Sequence, residues 1–451
     1  MNKLYNLLDN WRTTMPRIER NIYLNQLVNR IDNGMVKIIT GLRRVGKSYF
    51  LGRIFYDYLI SKNVKKDKII KFDFSSQKDL KLIGEDYLTL KTKHRKVDSG
   101  KFIAFIEKSC KTKGTYYLLL DEVQELESFE AVLNGLLSQR KFDIYVTGSN
   151  AKFLSKDIVT EFRGRGDEIH LLPLSFSECW KYYDKNPKEA LNKYMVYGGL
   201  PLVVLAKSDI DRRTYLDKQI KETYIADIVE RYGSKDADDL KDLLFFVASS
   251  TSTLVNPKKI AARFKSVKHS SIGESTIAKY IDHFEDIFLL KKALRYDIKG
   301  SKYISTPYKI YFEDVGLRNG VLEYRQVERT HLMENVIYNE LRYRGYSIDV
   351  GQVEIRGTTK DAISGDNKEI KKFLETDFVA NEGSKRYYIQ SAYSIDDPKK
   401  KEVEIRSLQN IGDSFKKIVI ACDNLFDGYD SNGIYYLDFY RFLTNKNSLD
   451  S

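Results

Sequence analysis

Short runs of apolar, often β-branched residues alternate with longer amphipathic stretches over residues 35–174, and this alternation predicts an α/β fold. The predicted strands are Val36–Thr40, Ile69–Phe74, Tyr116–Leu120, Asp143–Thr147 and Ile169–Leu172. Stretches of helical periodicity at Phe102–Cys110 and Phe129–Arg140 lie between them. Strands that alternate with helices form a parallel sheet covered on both faces, and its ligands lie at the carboxyl ends of the strands.

The first predicted strand leads into a glycine loop with the G-x-x-x-x-G-K-[ST] pattern of a P-loop. Its residues are Gly41, Leu42, Arg43, Arg44, Val45, Gly46, Lys47 and Ser48, followed by Tyr49 and a predicted helix. Backbone N–H groups of such a loop cradle phosphates, the lysine reaches the β- and γ-phosphates, and the hydroxyl binds Mg²⁺. We therefore predict an ATP-binding segment from Gly41 to Tyr49, with Ser48 as a magnesium ligand. A glycine-rich turn without a ligand is the alternative.

A second acidic motif follows the strand Tyr116–Leu120, where Asp121 and Glu122 end an apolar run in the Walker B pattern. Asp121 is the predicted magnesium ligand. Glu122 is the predicted general base that orients and deprotonates the attacking water. The alternative is a buried strand followed by a polar turn.

The strand ending at Thr147 continues into Gly148, Ser149 and Asn150, which predicts a polar sensor for the γ-phosphate or the attacking water. Ser149 or Asn150 is the predicted sensor group. The same residues can also form a turn that caps a helix starting near Lys152.

Residues 161–167 contain two arginines just before the last predicted strand. Ring-forming ATPases place an arginine here that reaches the γ-phosphate bound by a neighbouring subunit. Arg165 is the first candidate for such a finger and Arg163 the second, and a solvated basic loop is the alternative. The finger hypothesis predicts a homo-oligomer.

The length and the charge of the chain indicate further domains and a possible class of partner. A chain of 451 residues is too long for one hydrophobic core, and two to four domains are expected. Lys and Arg number 75 against 63 Asp and Glu, a net charge of +12. This excess is typical of proteins with an acidic partner such as nucleic acid, and equally of a lysine-rich proteome.

The remaining composition excludes several classes of protein. Cys110, Cys179 and Cys422 lie far apart, and neither they nor the five histidines have the spacing of a disulfide framework or a metal site. No apolar stretch approaches the roughly 18 residues of a membrane span, and the N-terminus lacks a signal-peptide core. A cytoplasmic protein without membrane contact is expected.

The motifs stand in one order that resembles a known family, the prokaryotic AAA-type ATPases with a C-terminal domain of unknown function. Besides the P-loop and Walker B segments, the resemblance rests on residues 147–150 (TGSN), 164–165 (GR), 172–178 (LPLSFSE), 197–201 (YGGLP), 311–319 (YFEDVGLRN), 334–336 (ENV), 377–379 (DFV) and 388–390 (YIQ). It covers nearly the whole chain. It implies that Lys47, Ser48, Asp121 and Glu122 carry nucleotide and Mg²⁺ chemistry, and it adds little about the use of that energy.

Residues 175–235 form a charge-rich helical segment interrupted by the Tyr197–Pro201 turn, as in a small lid that moves with nucleotide state. A rigid helical connector is the alternative. Residues 236–325 follow the order of a winged helix, with three helices and then two strands around the basic turn Lys299–Lys302. Its predicted DNA-contacting groups are Ser275, Thr276, Lys279, Lys258, Lys259, Arg263, Lys265 and Lys268. Winged helices also bind proteins, and lysines are commonly just solvated.

Residues 326–451 alternate helix and strand in an order that resembles the restriction-endonuclease-like fold, with a polar loop at 357–369. In that fold a helical Glu, a strand Asp and an acid-x-Lys pair on the next strand bind metal and position water. Glu334 and Asp377 match the first two groups. Gln390 and Ala392 stand in place of the acid and the lysine, which predicts a shell without nuclease activity. Glu375, Glu382 and Lys385 remain as spatial substitutes.

Together these patterns predict an α/β P-loop NTPase of the AAA type followed by a winged-helix domain and a nuclease-like α/β domain. The predicted segments are 1–34 (helical), 35–174 (ATPase core), 175–235 (lid or connector), 236–325 (winged helix) and 326–451 (degenerate nuclease-like). The predicted function is an Mg²⁺-dependent ATPase acting as a nucleic-acid-linked switch or motor. A nucleotide-gated scaffold for protein partners and an ATP-dependent nuclease are the alternatives.

Overall fold

The computed structural model describes residues 17–148, 162, 164–225, 228–229, 237–268, 272–360, 367–422 and 427–450. The chain divides into two compact units. The first unit ends at Leu172 and includes Asp286–Phe288, and the second comprises Pro173–Glu285 and the residues from Leu289 onward. The five predicted segments are finer than this division and stay predictions.

A five-stranded parallel sheet forms the first unit and confirms the predicted α/β core. Its strands are β1 (Val36–Thr40), β2 (Ile69–Asp73), β3 (Tyr116–Asp121), β4 (Phe142–Thr147) and β5 (Gly166–His170). They lie in the order β2-β3-β4-β1-β5, so β1 pairs with both β4 and β5. The fifth strand was predicted at Ile169–Leu172 and instead spans Gly166–His170. Backbone pairing with β1 carries it through the polar residues Asp167 and Glu168 and ends at His170.

Helices connect these strands. They are α1 (Asn21–Val28), α2 (Lys47–Tyr49), α3 (Tyr56–Ser61), α4 (Gln77–Leu82), α5 (Tyr87–Thr92), α6 (Ser99–Ser109) and α7 (Phe129–Ser138). A π-helical segment, Phe50–Phe55, joins α2 to α3 and buries Phe50, Leu51, Ile54 and Phe55. The predicted amphipathic helix after the P-loop is therefore present, with one wider stretch in its middle.

Aromatic side chains pack the core beneath β2 and β3. The rings of Phe72 and Phe74 lie 4.8 Å apart, and both contact Phe102 of α6. All three are almost fully buried, and burial of each such side chain stabilises the fold by about 1.5–3 kcal/mol. This packing fixes the strand ends at which the predicted nucleotide chemistry lies.

A nine-stranded mixed sheet spans the second unit in the order β13-β14-β12-β11-β10-β9-β7-β8-β6. Its strands are β6 (Leu254–Val255), β7 (Leu290–Asp297), β8 (Lys302–Phe312), β9 (Ser347–Lys360), β10 (Asn367–Glu382), β11 (Lys385–Ala392), β12 (Lys416–Ala421), β13 (Gly428–Tyr429) and β14 (Ile434–Asp438). Parallel pairing of β7 with β9 joins the strands predicted for the winged helix to those of the nuclease-like fold.

The helices of the second unit are α8 (Phe176–Tyr183), α9 (Pro187–Tyr197), α10 (Pro201–Val204), α11 (Asp209–Lys218), α12 (Ala237–Ser249), α13 (Pro257–Arg263), α14 (Glu274–Asp286), α15 (Val315–Val321), α16 (Arg329–Tyr343), α17 (Pro398–Gln409) and α18 (Phe439–Thr444). Two π-helical segments, Gln219–Tyr224 and Phe264–Lys268, extend α11 and α13. Strand β6 pairs antiparallel with β8 and β8 with β7. The order α12-β6-α13-α14-β7-β8 is the order that a winged helix requires, and the assignment stays a prediction.

The predicted polar loop at 357–369 is wrong at both of its ends. β9 continues to Lys360 and β10 begins at Asn367, and their antiparallel register runs unbroken from Asn367 opposite Lys360 to Thr376 opposite Gly351. Backbone hydrogen bonds between the two strands hold these polar residues in a ladder, although their side chains have no apolar alternation to indicate it.

Two of the sequence signatures form one packed structure in the second unit. A Cβ on Gly199 would lie 2.1 Å from the carbonyl oxygen of Leu174, so only glycine fits. The backbone N–H of Gly199 donates to Asp314 Oδ2 at 2.7 Å, and that of Leu317 donates to Oδ1 at 3.0 Å. The YGGLP turn is thus anchored to the buried carboxylate of the YFEDVGLRN segment.

Candidate nucleotide-binding site

The loop between β1 and α2 has the backbone of a phosphate cradle. Gly41 and Gly46 adopt positive φ angles of 137° and 100°, which glycine reaches without the steric cost of a side chain. A Cβ on Gly41 would lie 2.3 Å from the carbonyl oxygen of Leu171. Gly41 is therefore required both by its own conformation and by the backbone that passes beside it.

Substitution of Gly41 by alanine is expected to lower the free energy of unfolding by roughly 2–4 kcal/mol, because strained backbone and an unavoidable clash with Leu171 add together. Denaturant unfolding of the full chain measures this change. Gly52→Ala is the matched control, since its Cβ would meet nothing within 4 Å. Equal stability of the two variants would contradict the assigned loop geometry.

The lysine of the loop is held inside it. Lys47 is 5% exposed, and its Nζ donates to the carbonyl oxygens of Gly41 at 2.8 Å and Leu42 at 3.2 Å. Both acceptors are neutral, so a negatively charged phosphate would attract the ammonium more strongly than these carbonyl groups do. The loop thus presents a positioned ammonium that a phosphate group can attract.

Ser48 and Asp121 meet across two separate segments of the chain. The Ser48 hydroxyl bonds to the Asp121 carboxylate at the end of β3, and the Thr147 hydroxyl at the end of β4 donates to the same carboxylate. Burial raises the pKa of Asp121 to about 6. A hydroxyl beside a half-buried carboxylate is an oxygen donor set that suits Mg²⁺, so the residues present fit the ion that the sequence predicts.

Glu122 stands next to this pair in an uncommon backbone conformation. Its φ is +52°, a left-handed value that costs about 1–3 kcal/mol in a residue other than glycine. Its backbone N–H donates to Thr147 Oγ1 at 3.3 Å, and Gln124 Nε2 donates to its carboxylate. The surrounding polar groups therefore hold the predicted general base in one position.

Three residues of this edge were not singled out from the sequence. Asp73 ends β2 directly opposite Asp121, and burial raises the pKa of its carboxyl group despite hydrogen bonds from Ser75. Thr147 and Gln124 contact the acidic pair as described. The sequence could have indicated Asp73, because it is an acid at the end of the neighbouring strand. The contacts of Thr147 and Gln124 depend on side-chain geometry, which the sequence does not show.

The other predicted residues of the loop and of the strand ends differ in their exposure. Arg43 is half-buried, Arg44 and Tyr49 are exposed, and Val45 is buried beneath the loop. Asn150, Ser149 and Arg163 lie outside the described residues. The individual roles of all these residues stay predictions.

Arg165 lies beside the amino-terminal end of β1, whereas the P-loop follows the carboxyl end of that strand. Its carbonyl oxygen accepts the backbone N–H of Val36, the first residue of β1, whereas the P-loop follows the last residue. The five residues of β1 separate these two ends by roughly 16 Å. Arg165 is exposed and is not brought to the nucleotide site of its own chain, so its predicted role as a finger requires a neighbouring subunit.

In the described part of the chain, no group of three or more His, Cys, Asp and Glu side chains is arranged to hold a metal ion. Over the same residues, no helix is long and apolar enough to cross a membrane.

A parallel sheet with a P-loop after β1 and an acidic pair after β3 defines this chain as an AAA-type P-loop protein. The family model of the AAA domain matches residues 33–180, and that of a domain of unknown function (DUF8612) matches residues 188–328. An uncharacterised protein of Haemophilus influenzae is 33% identical over 410 residues, 90% of this chain and 93% of that protein. The chain belongs to the same family as this relative, one with an AAA domain followed by a domain of unknown function.

Further likenesses are more distant. An uncharacterised protein of Methanocaldococcus jannaschii is 27% identical over 420 residues, 89% of this chain and 87% of that protein. The structure of the Aeropyrum pernix ORC1 protein in complex with DNA has 12% identity and a TM-score of 0.32, covering 70% of this chain and 94% of that one. The A. pernix ORC2 protein has 11% identity and a TM-score of 0.33, with 69% and 95% covered.

Proposed function

We propose that the protein is an Mg²⁺-dependent ATPase that works as a nucleic-acid-linked switch or motor. The observation that carries the ATPase assignment is the contact of Ser48 with Asp121, beside Lys47 and Glu122, at the carboxyl edge of the first sheet. These four groups come from two chain segments and supply the phosphate-binding, metal-binding and base functions that phosphoryl transfer to water needs.

Each group has a distinct part in the proposed reaction. Lys47 attracts the β- and γ-phosphates, and the cradle N–H groups orient them. Ser48 and Asp121 are the residues that would hold Mg²⁺, and the ion would neutralise charge on the phosphates. Glu122 accepts the proton of the attacking water. Its carboxylate accepts a hydrogen bond from Gln124 and its backbone N–H donates to Thr147, and these two contacts hold Glu122 in place. We propose hydrolysis of ATP, and not binding alone, because a domain that only binds the nucleotide would not need the second acid, Glu122.

The proposed nucleic-acid contact rests on the basic surface of α13 and α14. Lys258, Lys259 and Lys279 are exposed on these two consecutive helices. Asp282, which lies one turn after Lys279, is paired with Lys292 and adds little negative charge to that face. The net charge of +12 favours the approach of a phosphate backbone.

The salt dependence of DNA binding tests this surface. Replacing Lys258, Lys259 and Lys279 together by glutamine is expected to reduce the slope of log K against log salt by about 3, since each phosphate contact contributes about one unit. A fluorescence anisotropy titration of duplex DNA at several salt concentrations measures the slope. The control replaces the exposed Lys108, Lys111 and Lys113, which gives the same change in net charge.

Equal slopes for the two triple variants would contradict contact through α13 and α14. Absence of DNA binding by the native protein would instead favour the scaffold hypothesis, in which the second unit holds a protein partner.

A further inference from the structure

Three carboxylates of the second unit converge on one buried lysine. Lys309 lies on β8, and its Nζ is 2.8 Å from Glu334 on α16, 2.8 Å from Glu375 and 3.0 Å from Asp377, both on β10. Glu334 and Asp377 are the two acids that match the nuclease-like pattern. Their site therefore already contains a cation, which comes from a strand outside that pattern.

The ammonium group of Lys309 contacts all three acids. It donates hydrogen bonds to Glu334 at 2.8 Å and Asp377 at 3.0 Å, and it forms an ion pair with Glu375 at 2.8 Å. Lys309 is 2% exposed. Burial alone would lower its pKa, but the charges of Asp377, Glu334 and Glu375 raise the pKa well above its ordinary value. Lys309 thus stays protonated inside the sheet.

The acids are fixed by further bonds around this centre. Tyr311 donates its hydroxyl to Glu334 Oε1 at 2.7 Å, and the backbone N–H of Ser391 donates to Asp377 Oδ2 at 2.9 Å. Gln390 contacts the backbone N–H of Asp377 through its amide oxygen. A buried polar network of this kind is stable only when every charged member has a partner, and Lys309 supplies the positive one.

The other sequence candidates for a substitute lysine or acid behave differently. Lys385 bonds both carboxylate oxygens of Asp450, at 2.9 and 3.0 Å. Glu382 lies opposite Lys385 in the β10–β11 ladder, at its turn. Of the substitutes that the sequence suggested, Glu375 joins the acidic centre.

We propose that Lys309 is a built-in cation of the second unit, which occupies the point on which the carboxylates of Glu334, Glu375 and Asp377 converge. The native site is therefore closed to metal ions and does not cleave nucleic acid. Its acids instead tie β8 to α16 and β10. This inference is independent of the ATPase proposal, because it concerns another unit and other residues.

Thermal unfolding of the full chain in EDTA and in MnCl₂ tests the proposal. For the native chain, the midpoint temperature of the transition in which the second unit unfolds is expected to be the same in both solutions. Lys309→Gln should lower it by roughly 5–15 °C in EDTA, because the buried carboxylates of Glu334 and Asp377 lose their cation. MnCl₂ should restore part of the loss by binding the vacated acids, and adding Asp377→Asn should abolish that restoration.

Two controls isolate the site. Lys292→Gln removes a lysine that also contacts two carboxylates, Asp282 and Glu285, but on a partly exposed surface, so little change is expected. Both the native chain and Lys309→Gln keep Asp121, and Mn²⁺ held there cancels in the comparison. If Lys309→Gln does not fold, the triple variant Lys309→Met, Glu334→Gln and Asp377→Asn should recover the folded protein because it buries no unpaired charge.

Three results would overturn the proposal. One is a Mn²⁺-dependent rise of the native midpoint, or Mn²⁺-dependent nicking of DNA by the native chain, that Asp377→Asn abolishes. Another is a Lys309→Gln protein as stable in EDTA as the native chain. The third is failure of the neutral triple variant to fold when Lys309→Gln also fails.

Discussion

Replacing Glu122 by glutamine is expected to lower the steady-state rate of ATP hydrolysis by about 10²–10³-fold, while ATP affinity changes less than about threefold. Glutamine keeps the size of the side chain and can still contact Gln124, but it cannot accept the proton of the attacking water. The loss should therefore appear in kcat and leave nucleotide binding in place. Phosphate release and equilibrium binding of a fluorescent ATP analogue measure the two quantities.

Glu125→Gln is the matched control for this experiment. Glu125 lies one turn further along the same segment and makes a surface ion pair with Lys91 at 3.2 Å, so its loss should leave the rate within about twofold. A Glu122→Gln protein that hydrolyses ATP at the native rate would show that another group is the base. Asp73, which ends the neighbouring strand, would then be the next candidate.

Replacing Lys47 by alanine is expected to weaken ATP binding by about 10–150-fold and to reduce hydrolysis with it. Its Nζ is held 2.8 Å from the carbonyl oxygen of Gly41, within the loop, and a charge-assisted hydrogen bond to phosphate contributes about 1.5–3 kcal/mol. Titration of the same ATP analogue measures the affinity. Lys62→Ala, an exposed lysine after α3, serves as the control and should bind as the native chain does.

Native affinity in Lys47→Ala would contradict the assignment of the loop as the phosphate cradle. The two variants also test each other. Glu122→Gln should separate binding from turnover, whereas Lys47→Ala should reduce both, and the reverse pattern would exclude the roles given to these residues.

The strands of the first sheet could be predicted from the sequence, because each strand, the glycine loop and the acidic pair is a pattern within a few consecutive residues. The predicted strand that ends at Thr147 is β4, which pairs with β1. The P-loop was recognisable because its glycines meet a local backbone requirement: Gly41 and Gly46 both have positive φ.

Contacts between distant segments were not predictable in the same way. The buried pair of Lys37 and Asp143 joins β1 to β4, yet nothing beside either residue in the sequence indicates a partner. Lys309 is a second contact that the sequence did not indicate. The nuclease-like pattern places its lysine two residues after Gln390, where Ala392 stands. The cation comes instead from a strand that precedes Glu334 and Asp377 in the chain.

The steady-state ATPase rate of the native chain in Mg²⁺, with and without duplex DNA, tests the central claim most directly. The account predicts hydrolysis that depends on Mg²⁺ and rises several-fold with DNA, with a stimulation that falls as salt screens the phosphate contacts. Absence of Mg²⁺-dependent hydrolysis under both conditions would contradict the account.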